Sequence, residues 1–319
     1  MGCSERAELR GQVLDDEYRI GPSIGVGGTG VVFEAERLSD GAHVVVKVLR
    51  PLYAYNGDLV RRLRLEGEVA RAVAHPGIVP VLDEGLLPDG SPYLVMERVW
   101  GESMARLVHR SGTLGVGETA AIAMRVAAIL HAVHRQGYVH RDVKPEHILL
   151  DRGPEGELVV RLLDFGVCAS EWVDSEERER ERARVFGTPS YVSPEQAAGD
   201  PYVDGRADVY GLGVCMFEAL TGRVPFTGSD VMNLLRRIIR EDAPRVGLMA
   251  MHVDVDLDAV VARALARDPQ ARFANMRVLA RSLAPFARHR LDIERQLAAC
   301  LCVGEELPET LATARDAAA

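Results

Sequence analysis

Nothing in the cysteines of this chain can staple a fold together. The five residues Cys3, Cys168, Cys215, Cys300 and Cys302 are odd in number and show no paired spacing. That argues against a disulfide framework and makes a reducing interior, the cytoplasm, the expected compartment. Cys300 and Cys302 have no second pair to complete a four-ligand zinc site, and they read as two small apolar residues on a helix. A surplus of positive charge is missing too, since 38 Lys and Arg against 47 Asp and Glu leave a formal net charge of −9. This argues against a general nucleic-acid binder, which needs clustered cations to neutralise a phosphate backbone. No apolar run approaches the roughly 18 residues that cross a bilayer, so no membrane span is expected. The start Met1-Gly2-Cys3-Ser4 has Arg6 where an acylation pattern wants Ser or Thr. Residues 1–17 therefore read as a disordered N-terminal segment, and no internal repeat is visible anywhere.

What is present is enough chain, 319 residues, to bury one large or two moderate cores. Two composition regimes divide it. From 18 to 97 the sequence is Val-rich, alternates with period two and turns on Gly, predicting strands at 18–24, 31–37, 43–49, 79–83 and 93–97 with one helix at 59–74. Beyond Gly101 apolar residues recur every three to four positions, predicting helices at 116–136, 207–220, 229–240, 257–266 and 276–287 between Gly, Pro and Asp breakers. The expected fold class is α+β with two lobes. A small β-rich N-lobe (18–96) with one main helix joins, through a hinge at 97–101, a larger helical C-lobe (102–286). Residues 287–319 form an extension without a motif.

Several motifs sit on this frame. Ile24-Gly25-Val26-Gly27-Gly28-Thr29-Gly30-Val31-Val32 reads G-x-G-x-x-G-x-V between two strands, where missing side chains let backbone amides approach phosphate oxygens. Alone this is a Gly-rich hairpin; the dinucleotide-binding reading fails because a strand, not a helix, follows the last Gly. Lys47 ends the strand His43-Val44-Val45-Val46-Lys47, and Glu66 lies on the predicted helix nine residues before His75. Glu68 would point roughly 200° around that helix from Glu66 and reads as surface. Next comes His140-Arg141-Asp142-Val143-Lys144-Pro145-Glu146-His147. Asp164-Phe165-Gly166 follows, 22 residues after Asp142 and just past a strand at 159–163. Gly187-Thr188-Pro189-Ser190-Tyr191-Val192-Ser193-Pro194-Glu195-Gln196, then Asp208 in Asp208-Val209-Tyr210-Gly211, then Arg272 complete the series.

In this order and spacing the motifs resemble those of bacterial eukaryotic-like (Hanks-type) Ser/Thr protein kinases over 18–286, with an ATP cleft between the lobes. The resemblance implies Asp142 as acceptor of the substrate hydroxyl proton, Lys144 as a clamp on the transferring phosphoryl group, and Thr188 bonded to both. It implies Lys47, held by Glu66, on the α and β phosphates, and Asp164 on Mg2+. An adenine slot would be lined by Ile24, Val32, Val45, Met96 and Leu149, with the backbone of Glu97 and Val99 bonding the base. Gly25, Val26, Gly27, Gly28, Thr29 and Gly30 would cover the phosphates. Asp208 would bond the backbone of the catalytic loop, and Glu195 would pair with Arg272. Lys144 and Thr188 belong to the Ser/Thr rather than the Tyr pattern, so the implied partners are ATP and protein Ser/Thr hydroxyls. A homodimer through the back of the N-lobe is common in such relatives. Small-molecule phosphotransferases share a His-x-Asp loop and two lobes, but typically lack the 187–196 segment that docks a peptide.

Two positions depart from the pattern. His147 stands where the family carries a metal-binding Asn, and imidazole suits Mg2+ less and Mn2+ or Zn2+ more. Three outcomes are open: His147 ligates a metal with a preference for Mn2+, it only hydrogen-bonds within the loop, or the chain is a pseudokinase scaffold without efficient transfer. Between Gly166 and Gly187 there is no Thr, only Ser170 and Ser175, and a charged run occupies 176–182. A Glu of that run pairing with Arg141 would reduce dependence on phosphorylation; a solvated charged helix is the plainer reading.

Overall fold

The structure, a computed structural model, describes residues 9–153, 156–166, 168–170 and 187–287. Five of the N-lobe strands follow the sequence pattern closely: β2 (Tyr18–Val26), β3 (Gly30–Arg37), β4 (His43–Leu49), β5 (Val81–Leu86) and β6 (Pro92–Glu97). With a short strand β1 (Val13–Leu14) at one edge they form a six-stranded antiparallel sheet in the order β1-β2-β3-β4-β6-β5. Alternation along β4 decides what each face does. Val44, Val46 and Val48 pack with Ile20, Phe33, Tyr93 and Val95 in the N-lobe core. Val45 and Lys47 therefore face the other way, opposite Met96 on β6 and Val32 on β3 respectively. One period-two strand thus sends three valines into a core and a lysine into the cleft.

The sheet corrects the expectation of disorder over 1–17. Val13–Leu14 form an edge strand, β1, paired with Arg19 and Tyr18. Leu14 is buried beside Tyr18, and the Tyr93 hydroxyl donates to Asp15, whose neighbour Asp16 shares its left-handed backbone. Two residues carry no readable periodicity, so the strand is visible only through what its one buried side chain touches. Residues 1–8 lie outside the described residues.

Helix α1 (Gly57–Ala72) starts at Asn56, whose side chain accepts from the Leu59 N–H, and lays Leu63, Glu66, Gly67 and Val69 against the lobe. The C-lobe holds α2 (Met104–Ser111), α3 (Val116–Arg135), α4 (Pro194–Ala197), α5 (Arg206–Thr221), α6 (Val231–Arg240), α7 (Val255–Ala264) and α8 (Met276–Leu283). α3 is long and apolar enough, by length and composition, to cross a bilayer, contrary to the reading that no run comes near this. Here it is the central helix of the lobe, largely buried and packed against α5 and α8. α2 escaped the periodicity reading because it is only eight residues long, capped by Ser103. Short strands β7 (Glu102–Ser103), β9 (Ile148–Arg152) and β10 (Leu158–Leu162) form a three-stranded sheet on the cleft side. A second pair joins β8 (Tyr138–Val139) and β11 (Ala169–Ser170). Between β8 and β9, and just after β10, the chain makes the turns that carry the site.

Candidate active site

The turn after β8 holds Arg141 in the left-handed region, at φ 65°. A residue with a Cβ adopts that conformation at a cost, and keeps it only where the surroundings over-determine it. The buried Asp208 carboxylate, in the first turn of α5, accepts from the N–H of His140 (2.9 Å) and of Arg141 (2.8 Å). His134 on α3 donates to the same carboxylate at 2.7 Å. Burial alone would raise the Asp208 pKa, but the His134 bond and its other donors hold it below the ordinary carboxylate value. From the other side Gln196 donates to the Arg141 carbonyl at 2.9 Å.

This turn delivers Asp142. One carboxylate oxygen accepts from the Lys144 ammonium at 2.7 Å and the other from the Thr188 backbone N–H at 2.7 Å, while Lys144 also donates to the Thr188 hydroxyl at 2.6 Å. Thr188 was expected to bond both residues and does so with two different groups. Its hydroxyl serves Lys144 and its backbone serves Asp142. The close approach requires Gly187: at φ +100° any Cβ there would lie 2.8 Å from the Arg141 carbonyl oxygen.

Across the cleft Lys47 donates to both oxygens of Glu66, at 2.9 and 2.6 Å, and to Asp164 at 3.3 Å. Glu66 is buried and Glu68 exposed, as the helical spacing predicts. Burial alone would lower the Lys47 pKa, but Glu66 and then Asp164 reverse it and keep the ammonium charged well above its usual range. For Glu66 burial dominates and pushes its carboxyl up against the pull of Lys47. Asp164 follows β10 with a left-handed backbone, φ 63°, and accepts the Gly166 N–H at 3.3 Å. Its carboxyl feels an upward push from burial, yet Lys47 and His147 bring it well below the usual range.

His147 sits between these two halves. Its Nδ1 lies 3.1 Å from the Asp142 carbonyl oxygen and its Nε2 lies 3.5 Å from Asp164 Oδ2. Burial lowers its pKa from 6.5 to about 4, against the upward pull of Asp164. Among the described residues no group of three or more His, Cys, Asp or Glu gathers to hold a metal alone. Asp164 and His147 still suit a divalent cation that brings other ligands, because a carboxylate oxygen and an imidazole nitrogen converge across a short gap.

Together these residues border a cleft of about 760 Å³, within the range of small-molecule sites. Ile24, Val26, Gly27, Gly28, Thr29, Gly30, Val32, Val45, Lys47, Met96, Glu97, Val99, Leu149 and Asp164 line it, as do Glu66, Lys144, His147 and Thr188. Gly25 is not part of the lining; it pairs with Val32 in the β2–β3 ladder. The cleft also runs beneath α1, past Leu59, Leu63 and Ala70. Asp142 is not part of the lining but is bonded to two of the lining residues, Lys144 and Thr188. A cation, a paired carboxylate and a Gly-rich turn on one side, with a carboxylate–ammonium–hydroxyl cluster on the other, match the demands of phosphoryl transfer.

A family model described as the protein kinase domain matches residues 18–283. The chain belongs to the protein kinase family. It is 38% identical over 263 residues to serine/threonine-protein kinase PknB of Mycobacterium tuberculosis, covering 82% of this chain and 41% of the relative. It is 35% identical over 287 residues to a probable serine/threonine-protein kinase of Corynebacterium efficiens, covering 88% and 43%. A probable serine/threonine-protein kinase of Streptomyces coelicolor is 35% identical over 263 residues, covering 82% and 38%. The chain spans about two fifths of the length of these curated relatives.

The kinase domain also contains supporting residues that the motifs did not announce. Gln196 is one, although the Ser193-x-x-Gln196 capping box that begins α4 was legible. Arg50 is another, donating to the Gly27 carbonyl at 3.0 Å and so fastening the tip of the Gly-rich turn. Arg98, in the hinge, bonds Glu34 at 2.9 Å and stacks on Trp100. These two have no sequence signal, because their partners are fixed by sheet register. The expected Glu195–Arg272 pair is present, both oxygens taking guanidinium donors at 2.7 Å. The expected contact between Arg141 and the charged run at 176–182, and the acceptor Ser175, lie outside the described residues. The Ser170 side chain is likewise not described.

Proposed function

We propose that this chain transfers the γ-phosphoryl group of ATP to Ser or Thr hydroxyls of protein substrates. The observation that carries the reading is the Asp142–Lys144–Thr188 cluster facing the Lys47–Glu66–Asp164 cluster across one cleft. Lys47, kept charged by Glu66, meets the α and β phosphates under the Gly-rich turn. Ile24, Val32, Val45, Met96 and Leu149 sandwich the adenine, with the hinge backbone at Glu97 and Val99 reading its edge. Asp142 orients the acceptor hydroxyl and takes its proton. Lys144, fixed between Asp142 and Thr188, neutralises charge on the phosphoryl group in flight. A divalent ion, Mg2+ or Mn2+, held by Asp164 and His147, would offset charge on the β and γ phosphates. Catalysis in this arrangement is positioning and electrostatics rather than covalent chemistry. The buried free thiols of Cys168 and Cys215 support a reducing, cytoplasmic setting for the domain.

The test is transfer of radiolabelled phosphate from ATP by the purified chain, with Mg2+ and then Mn2+. Transfer that vanishes in Asp142→Asn while nucleotide binding persists supports the reading. Wild-type autophosphorylation by Asp142→Asn overturns it, and a wild-type chain silent with both metals indicates the pseudokinase scaffold instead.

A further inference from the structure

Residues 98–100 continue β6 past the end of its ladder, whose last pair joins Glu97 to Val44. Among the described residues no backbone–backbone hydrogen bond holds them, and side chains do so instead. Arg98 donates through Nη2 to Glu34 on β3 at 2.9 Å and through Nη1 to the Val99 carbonyl oxygen at 3.3 Å. Its guanidinium lies 4.6 Å over the Trp100 ring, and that ring meets His43, the first residue of β4, edge-on at 6.1 Å. Alternation along β3 puts Glu34 on the face that carries Val32, so this bracket stands at the outer end of the slot bounded by Val32, Val45 and Met96. Arg98 itself borders the cleft, with its side chain 21% exposed. Two backbone groups are thereby engaged. The Glu97 N–H donates to the Pro80 carbonyl at 3.1 Å, and the Val99 carbonyl accepts from Arg98. Glu97 is left with an acceptor to offer a ligand, and Val99 with a donor.

We propose that Arg98 is a specificity-determining residue that restricts the nucleotide base to adenine. This rests on the kinase reading above, in which the backbone of Glu97 and Val99 bonds the base edge. Adenine presents the matching pair, an amino group that donates to the Glu97 carbonyl and a ring nitrogen N1 that accepts from the Val99 N–H. Guanine presents the reverse, an O6 acceptor and an N1–H donor. It could bind only by shifting along the hinge, so that O6 accepted from the Val99 N–H and N1–H donated to the Val99 carbonyl. Arg98 denies guanine that register. One lone pair of the carbonyl oxygen is taken, and the guanidinium fixed beside it repels an incoming N–H. Glu34 and Trp100 hold the guanidinium in place, so both act through Arg98 as positioning residues.

The test is calorimetric titration of the full chain, in Mg2+, with non-hydrolysable analogues of ATP and of GTP. Wild type should bind the ATP analogue more tightly. Arg98→Met keeps the apolar stem on Trp100 but loses the donors, and should narrow the ratio of the two affinities by about tenfold, the scale of one charge-assisted hydrogen bond. A merely structural loss would weaken both nucleotides alike and leave the ratio where it was. Arg98→Lys keeps a cation over Trp100 but has no planar fork to serve Glu34 and Val99 together, so its ratio should fall between. Glu34→Gln leaves the hinge sequence intact and should narrow the ratio in the same direction, which preserves the test if Arg98→Met does not fold. An unchanged ratio in Glu34→Gln or in folded Arg98→Met overturns the proposal and leaves the kinase reading standing. So does a wild type that binds the two analogues equally. A wild-type chain that binds neither analogue overturns both.

Discussion

Arg272 is fully buried, and every one of its five N–H donors is used. Nε goes to the Ala266 carbonyl at 2.7 Å, Nη1 to Glu195 at 2.7 Å and the Arg206 carbonyl at 2.9 Å, and Nη2 to Glu195 at 2.7 Å and the Arg267 carbonyl at 3.1 Å. The Tyr210 ring lies 5.0 Å below the guanidinium. The pair therefore joins α4, the start of α5 and the segment before α8 at a single buried point. Breaking a buried pair from one side costs about 3–5 kcal/mol, because the abandoned charge has no water to turn to. The two sides are unequal. Glu195→Gln strands the guanidinium but leaves it three backbone carbonyls, so the loss belongs near 3 kcal/mol. Arg272→Met removes all five donors, leaving a carboxylate and three carbonyls bare, so the loss belongs near 5 kcal/mol.

The double variant should cost less than the sum of the singles by about 2–3 kcal/mol, since neither charge is then stranded. In thermal unfolding the Glu195→Gln loss corresponds to a fall of roughly 6–12 °C for a lobe of this size. Urea unfolding of the four proteins, with slopes compared to check that the unfolded states match, measures the cycle. Additivity within about 0.5 kcal/mol would refute the reasoning, because it would mean that the two side chains do not feel each other. So would a Glu195→Gln loss exceeding that of Arg272→Met.

Gln196→Leu keeps the volume but removes the donor to the Arg141 carbonyl and half of the α4 capping box. It should cost about 1–2 kcal/mol of stability and lower kcat while calorimetry finds nucleotide affinity unchanged; an unchanged kcat counts against the support assigned to Gln196. Arg50→Ala frees the tip of the Gly-rich turn and should raise KM for ATP several-fold with kcat nearly intact, and equal effects on both would show a different role. His131, on α3, has its pKa lowered from 6.5 to about 4 by burial and then by His134, Arg135 and Arg277. The unfolded chain takes up that proton first, so the stability tied to this group is present above pH 6.5 and lost as pH falls toward 4. Tm measured across this window should fall for wild type and fall less for His131→Gln; parallel curves would exclude His131 as the source.

Much of the site is legible in the sequence because its residues sit in short motifs whose order and spacing resemble a known family. Lys47 and Glu66 are legible through the motif resemblance; alternation, which sends Val44, Val46 and Val48 to one face, then explains where Lys47 points, and the helical turn of 100° per residue separates Glu66 from Glu68. Features that depend on distant partners were not legible. β1 exists because Leu14 finds the far side of the sheet, and Thr188 meets Asp142 through its backbone because Gly187 can take φ +100°. Gln196 could be read as a helix cap but not as a support for Arg141, since that contact joins positions 55 residues apart. His147 stood in the sequence as a single anomaly. Only the structure places its ring between the Asp142 carbonyl and the Asp164 carboxylate.

Two left-handed residues that are not glycine, Arg141 and Asp164, flank the chemistry, and each such backbone costs of the order of 1–3 kcal/mol. Around Arg141 the compensation is concentrated in Asp208. Its Oδ2 accepts from His134 and the His140 N–H, and its Oδ1 from the Arg141 N–H. Asp208→Asn offers only one oxygen to these three donors. With the amide oxygen toward His140, the amide nitrogen meets the Arg141 N–H donor to donor, and the bond that holds the left-handed turn is gone. Flipped, it keeps Arg141 and repels the His140 N–H instead. Either way Asp142 is no longer presented to Lys144 and Thr188, whereas Lys47, Glu66 and Asp164 keep their contacts across the cleft. Asp208→Asn should therefore lose kcat by more than Gln196→Leu does, with nucleotide affinity retained and stability reduced by about 2–3 kcal/mol. Wild-type kcat in this variant would show that the strained turn needs no such support, and that the position of Asp142 is set from elsewhere.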